Sequence, residues 1–149
     1  MTAFTKSINV LYRCAVLFRS EKLKVTGLNG YQNTYISNIC RNPGISQEQL
    51  SKLIYINKSN VTRQLAALEQ LGYITRKPSP ADKRSLLVYP TSKAQEVYPY
   101  IQQILGEWNN YLTSDFTEEE RGQLNSMMER MMEKASSYVT ETTLRKKGK

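Results

Sequence analysis

Residues 46–89 read as two short helices joined by a three-residue connection and followed by a β-hairpin, a succession that few folds accommodate. Ser46-Gln47-Glu48-Gln49 is a capping box, in which the serine oxygen accepts from the amide of Gln49 and the glutamine side chain reaches back. The helix it opens, about 46–54, is expected to turn Leu50, Leu53 and Ile54 inward. Tyr55-Ile56-Asn57 makes the connection, with Asn57 capping the next helix. In that helix Val61, Leu65, Leu68 and Leu71 recur at helical spacing and form a core face, while Ser59, Arg63, Ala66 and Gln70 fall opposite. The outward face is flat and small apart from one long cation and one amide, which suits a helix lying in a groove lined by hydrogen-bonding edges and phosphates. An ordinary surface helix has the same periodicity, so the neighbours decide between the two.

Gly72 closes this helix, because a residue without Cβ takes the left-handed conformation that a helix end often needs. Tyr73-Ile74-Thr75-Arg76 and Leu86-Leu87-Val88-Tyr89 are β-prone runs, and the nine residues between them are turn-rich and basic. A hairpin placed directly after a helix-turn-helix is a wing. The charge agrees: residues 41–93 hold nine basic and three acidic side chains, a net +6 out of +8 for the whole chain, whereas residues 94–149 are net −2. A polyanion is the natural partner of such a patch, a merely solvated basic surface the alternative.

Several classes fall away. There is no histidine, and two cysteines, Cys14 and Cys40, lie far apart, so neither a zinc site nor a disulfide framework is expected. Both thiols are read as buried and inert, with a redox role for Cys14 as the alternative. No cofactor is implied, and an enzyme is not expected: histidine-based acid–base groupings are excluded by composition, and no glycine-rich phosphate cradle follows a strand. With no apolar run of membrane-spanning length and no signal-like N-terminus, a cytoplasmic protein is expected.

The flanks are helical. Phe4, Ile8, Leu11, Tyr12, Ala15, Phe18 and Leu23 form one stripe over 4–23, and Asn29 with Gln32 starts a helix that ends at Asn42-Pro43-Gly44. Thr91 opens a helix carrying Val97, Ile101, Ile104, Trp108 and Tyr111, in which Pro99 is expected to produce a bend. Thr117-Glu118-Glu119-Glu120 is a further capping box, and Leu124, Met128, Met131, Ala135 and Tyr138 follow at heptad-like spacing. These stripes are too broad for helices edging a small winged lobe, and pooling them between two chains would bury the surplus. The fold class is therefore mainly α with a small β-hairpin wing: a winged helix-turn-helix lobe at 28–91, a helical dimerisation region at 1–27 and 92–143, and a basic tail at 144–149, all within one domain, 1–149.

The run from Ile45 to Thr91 resembles the MarR family of multiple-antibiotic-resistance-type regulators. The residues that carry the likeness are Ser46–Leu53, Ser59-Asn60-Val61-Thr62-Arg63, Leu68-Glu69-Gln70-Leu71-Gly72-Tyr73-Ile74-Thr75-Arg76, and above all Asp82 and Arg84, spaced as the D-x-R wing tip. The chain departs from the family's T-x-x-G at Thr91-Ser92-Lys93-Ala94, and Cys14 lies nearer the second helix than the reactive cysteine of peroxide-sensing members. The resemblance implies a homodimeric transcription regulator on pseudo-palindromic operators in double-stranded DNA. It further implies a repressor released by a small, often phenolic or oxidising effector. The alternative is a winged-helix module for protein–protein contact, without operator binding.

Within that frame Ser59, Asn60, Thr62 and Arg63 are expected to face bases, Arg63 being suited to a bidentate contact with guanine. Lys58, Arg76, Lys77 and Lys83 are expected to neutralise phosphates. Arg84 is expected to enter the minor groove, held there by a fork-shaped ion pair with Asp82. Tyr12, Tyr31, Tyr35 and Trp108 are candidates to line an effector pocket, ordinary core packing being the alternative.

Overall fold

A computed structural model of the chain describes residues 2–147. They form two compact units, residues 2–108 and residues 109–147, and one continuous helix runs across the boundary. The elements are α1 (Thr2–Leu23), α2 (Asn33–Arg41), β1 (Ile45–Ser46), α3 (Gln47–Ile54), α4 (Lys58–Gln70), β2 (Ile74–Pro78), β3 (Leu86–Pro90), α5 (Ser92–Leu112) and α6 (Glu118–Lys147), with a single 3₁₀ turn at Lys24–Thr26.

The expected start signals carry the hydrogen bonds that sequence assigns them. Before α2, Asn29 and Gln32 bond reciprocally: each backbone amide donates to the other's side-chain oxygen, at 3.0 and 3.1 Å. Ser46 and Gln49 complete their capping box, the Asn57 side chain accepts from the amide of Asn60, and Thr117 and Glu120 bond reciprocally ahead of α6. Four orphan amides at each helix start need such partners. At the far end of α4 the chain turns through Gly72 at φ 80°, and the amides of Tyr73 and Gly72 return to the carbonyls of Leu68 and Glu69, both at 3.0 Å. Those two bonds are the Schellman arrangement that a left-handed glycine permits.

The first unit has one core. Leu23, Leu28, Tyr35, Ile36, Ile39, Leu50, Val61, Leu65, Leu68, Tyr73, Ile74, Val88, Ala94, Ile101 and Ile104 are its buried members. α2 packs on β3, α3 on α4, and α4 on β2, so α4 and the hairpin are set on the same apolar mass. Gly30 lets the loop before α2 press on α1: a side chain there would run into the Val16 carbonyl and the Ser20 hydroxyl.

Four expectations are corrected. The hairpin belongs to a three-stranded sheet of order β1-β3-β2, because Ile45 and Ser46 pair with Val88 and Leu87. Leu53 and Leu71, expected inward, are exposed: on α3 the core is met by Leu50 and Ile54, four residues apart, and Leu71 lies just past the end of α4. Cys14 is exposed on α1, whereas Cys40 is half-buried and its thiol is pushed up by burial. The tail expected at 144–149 is helical through Lys147, and its last two residues lie outside the described ones.

In the second unit α6 is a single 30-residue helix. Its residues Met127, Met128, Met131, Met132, Tyr138 and Val139 are all exposed. On α1 the side chains Phe4, Ile8, Leu11 and Tyr12 are exposed as well.

Candidate nucleic-acid interface

The site is built from three pieces of chain: the start of α3, the outer face of α4, and the tip of the hairpin. The hairpin holds its shape through its own bonds. Strand pairing runs from Ile74 opposite Pro90 to Pro78 opposite Leu86, and the amide of Ser79 then donates to the Ser85 carbonyl at 2.8 Å. Inside the tip, the backbone amide of Arg84 donates to Asp82 Oδ1 at 3.0 Å, and the amide of Ser85 donates to the Asp82 carbonyl at 2.9 Å. Asp82 thus positions Arg84 through its main chain. The fork-shaped ion pair expected between them is not formed, because a carboxylate two residues back reaches the nearby amide more readily than a guanidinium pointing outward.

Arg76 also differs from expectation. Its guanidinium lies 3.2 Å from Glu69 and donates to Gln47 Oε1 at 3.1 Å, and only 17% of its side chain is exposed. Gln47 in turn donates to the Thr62 hydroxyl at 3.4 Å, and that hydroxyl donates to the Lys58 carbonyl at 2.9 Å. Four residues from α3, α4 and β2 are therefore bonded into one polar seam between helix and wing. Arg76 is occupied with holding that seam, and the Thr62 hydroxyl is engaged within it. Sequence reasoning missed Gln47 and Glu69, whose partners lie 29 and seven residues from them in the chain.

The remaining residues stay on the surface. Ser59 Oγ donates to Asn57 Oδ1 at 2.9 Å, and Asn60 is half-buried in the first turn of α4. Lys77 sits over the Tyr89 ring at 5.6 Å. Among the described residues, Arg63, Lys83 and Arg84 are exposed and their side chains make no ion pair or hydrogen bond with the protein. A cleft of about 320 Å³ between helix and wing is lined by Gln47, Glu48, Lys58, Thr62, Asp82, Arg84, Ser85 and Leu86. Arg63 stands on α4 one residue beyond Thr62 and outside that lining. In the cleft, Lys58 lies 3.4 Å from Glu48, which also meets Lys52 at 3.5 Å. The hydrogen bond from Lys58, then the charges of Lys58 and Lys52, hold the Glu48 carboxyl below its usual range.

The end of α4 is held as firmly as its start. Lys93 Nζ donates to the Leu71 carbonyl at 2.6 Å and lies 4.4 Å from the Tyr73 ring centre, and the Thr91 hydroxyl donates to the Gly72 carbonyl at 2.6 Å. A cation is well placed at the negative end of a helix.

The aromatic residues suggested for an effector pocket divide. Tyr12 and Tyr31 are neighbours at the surface, with ring centres 6.4 Å apart. Tyr35 is in the core, where burial raises its pKa and its hydroxyl has no partner. Trp108 stacks on Phe18 at 4.9 Å. Near the tyrosine pair, Arg19 donates to the Gly30 carbonyl at 2.9 Å, and burial lowers its pKa.

Known proteins resemble this chain in sequence and fold. A family model described as MarR family matches residues 26–85. Over 108 residues the chain is 31% identical to the HTH-type transcriptional regulator BilQ of Clostridioides difficile, covering 72% of this chain and 73% of that protein. It is 27% identical over 131 residues to the HTH-type transcriptional regulator YybA of Bacillus subtilis, covering 88% and 87%. Among solved structures, a MarR transcriptional regulator from Methanosarcina mazei superposes with a TM-score of 0.89 at 28% identity, over 93% of this chain and 99% of that one. A MarR family transcriptional regulator from Listeria monocytogenes, crystallised with a 26mer DNA, gives 0.83 at 28% identity, over 89% of each.

Proposed function

This chain belongs to the MarR family of transcriptional regulators, and from that premise we propose that it is a homodimeric repressor that grips a pseudo-palindromic operator and lets go when a small aromatic molecule binds. The observation that carries the reading is the pair of unengaged guanidiniums, Arg63 on the exposed face of α4 and Arg84 on a wing tip braced by Asp82. Arg63, with Ser59 and Asn60, reads base edges in the major groove. Arg84 lies in the adjoining minor groove, where narrowness concentrates negative potential. Lys58, Lys77 and Lys83 meet phosphates and fix register. Arg76 positions the wing against α4 and does not touch DNA, and Thr62 contributes through the same seam.

The dimer is supported by the exposed apolar residues of α1 and α6, which a second copy would cover. Residues 28–91 act as the reading lobe, with 1–27 and 92–143 as the dimerisation region. Two reading helices must stand about one helical turn apart, ~34 Å, to enter successive major grooves. An effector that favours another spacing weakens binding without altering either reading surface. The exposed Tyr12–Tyr31 pair is the part of the chain best suited to stack against such a molecule.

Selection of bound duplexes from a random pool tests this directly. A dyad with fixed half-site spacing is the expected result, with affinity that falls steeply as salt rises. A chain with no affinity for any duplex in dilute buffer would overturn the reading in favour of a winged-helix protein–protein module.

A further inference from the structure

We propose that Glu48 is an intramolecular competitor for the DNA backbone: its carboxylate occupies the place of a phosphate beside Lys58 and must be displaced when a duplex docks. The inference rests on the DNA-binding reading above and adds a residue that limits affinity. Glu48 is the second residue of α3, its Oε1 lies 3.4 Å from Lys58 Nζ and 3.5 Å from Lys52 Nζ, and with Lys58 it lines the cleft between helix and wing.

The four charged groups on that lining are Glu48, Lys58, Asp82 and Arg84, so the cleft carries no net charge within the most basic part of the chain. Asp82 has a structural duty there, since it accepts the amide of Arg84. Glu48 gives α3 only the modest benefit of an acid in its first turn and an exposed pair with Lys52. Ser46 and Gln49 already cap α3, and an exposed ion pair adds little to folding. Its charge therefore bears mainly on whatever enters the cleft.

A phosphate approaching Lys58 meets the Glu48 carboxylate as a like charge and finds the ammonium already partnered. That opposition is the same for every sequence, so it lowers all binding by one factor. Stable occupancy then depends on the further contacts that only a correct site gives to Arg63. Two like unit charges a few ångströms apart in water repel enough to change affinity by about threefold to tenfold.

The test compares the intact protein with Glu48→Gln on two fluorescent duplexes, the operator selected as above and a scrambled one of equal length. Glu21→Gln is the control, because Glu21 also forms an exposed ion pair, with Lys24 at 3.0 Å, but on α1 away from the cleft. Glu48→Gln is expected to tighten binding to both duplexes by the same factor, about threefold to tenfold at low salt, and to steepen the salt dependence by up to about one counterion. Glu48→Asp, which keeps the charge, is expected to stay near the parent. Unchanged or weakened binding by Glu48→Gln would overturn the inference, as would an equal gain from Glu21→Gln, which would reduce the effect to net charge. Those results leave the DNA-binding reading standing. A parent that binds neither duplex would remove both.

Discussion

The winged lobe and the long helix α6 place their apolar residues in opposite situations. In the lobe Leu50, Val61, Leu65 and Leu68 are fully buried, and each joins a core to which five helices and a sheet contribute. On α6 Met127, Met128, Met131 and Met132 all face outward, although they recur at the spacing of a packed stripe. One region satisfies its own hydrophobic pattern, and the other presents a pattern that only another surface can satisfy. The difference teaches that amphipathic periodicity specifies that a face will be covered, but not by which chain.

That contrast can be broken or sharpened by substitution. The largest effect is expected from Met128→Glu combined with Met131→Glu, which would place charge on the apolar face of α6. Sedimentation should then report a monomer, and affinity for a two-half-site operator should fall by about 10²- to 10⁴-fold as avidity is lost. A variant that stays dimeric with full affinity would break the comparison. Next is Leu65→Ala, which empties part of the lobe's own core and is expected to cost about 2–5 kcal/mol in denaturant unfolding. By contrast Met132→Ala, on an exposed position, should change the stability of the lobe very little.

Smaller changes are expected where the lobe meets DNA. Arg63→Ala and Arg84→Ala should each weaken operator binding by about 1–3 kcal/mol while leaving the oligomer intact. They should differ in kind: competition with altered sites ought to show relaxed base preference for Arg63→Ala but not for Arg84→Ala. The smallest effect concerns Tyr55, an exposed residue held at φ 58° in the turn between α3 and α4. Left-handed backbone disfavours a residue with a bulky side chain, so Tyr55→Gly should raise stability by about 1 kcal/mol or less in thermal unfolding.

What sequence could convey about this molecule follows from how local each signal is. The caps at Ser46, Asn57 and Thr117 were legible because donor and acceptor lie within three residues of each other. The hairpin was legible from its β-prone runs and turn-rich centre. β1 was not, since a strand of two residues has no alternation to detect and its pairing with β3 crosses more than forty residues of chain. The seam of Gln47, Thr62, Glu69 and Arg76 was hidden as well, because its bonds join residues seven to 29 positions apart on three different elements, and no local pattern marks Arg76 as a half-buried cation held within the protein. The left-handed Tyr55 gave no signal either, because that conformation is ordinarily announced by glycine.

The register that ends at Pro78 opposite Leu86 has a consequence for evolution of the wing. With its base fixed by a central strand and its tip closed by four internal bonds, the hairpin is a strut of set length. Lengthening it by one residue pair per strand would move the terminal cation outward by about 7 Å, two strand rises of ~3.4 Å. That displacement exceeds the width of a B-form minor groove, ~6 Å. Insertions and deletions here should accordingly silence the arm even when every charge is kept, so that reach is a heritable trait separate from composition.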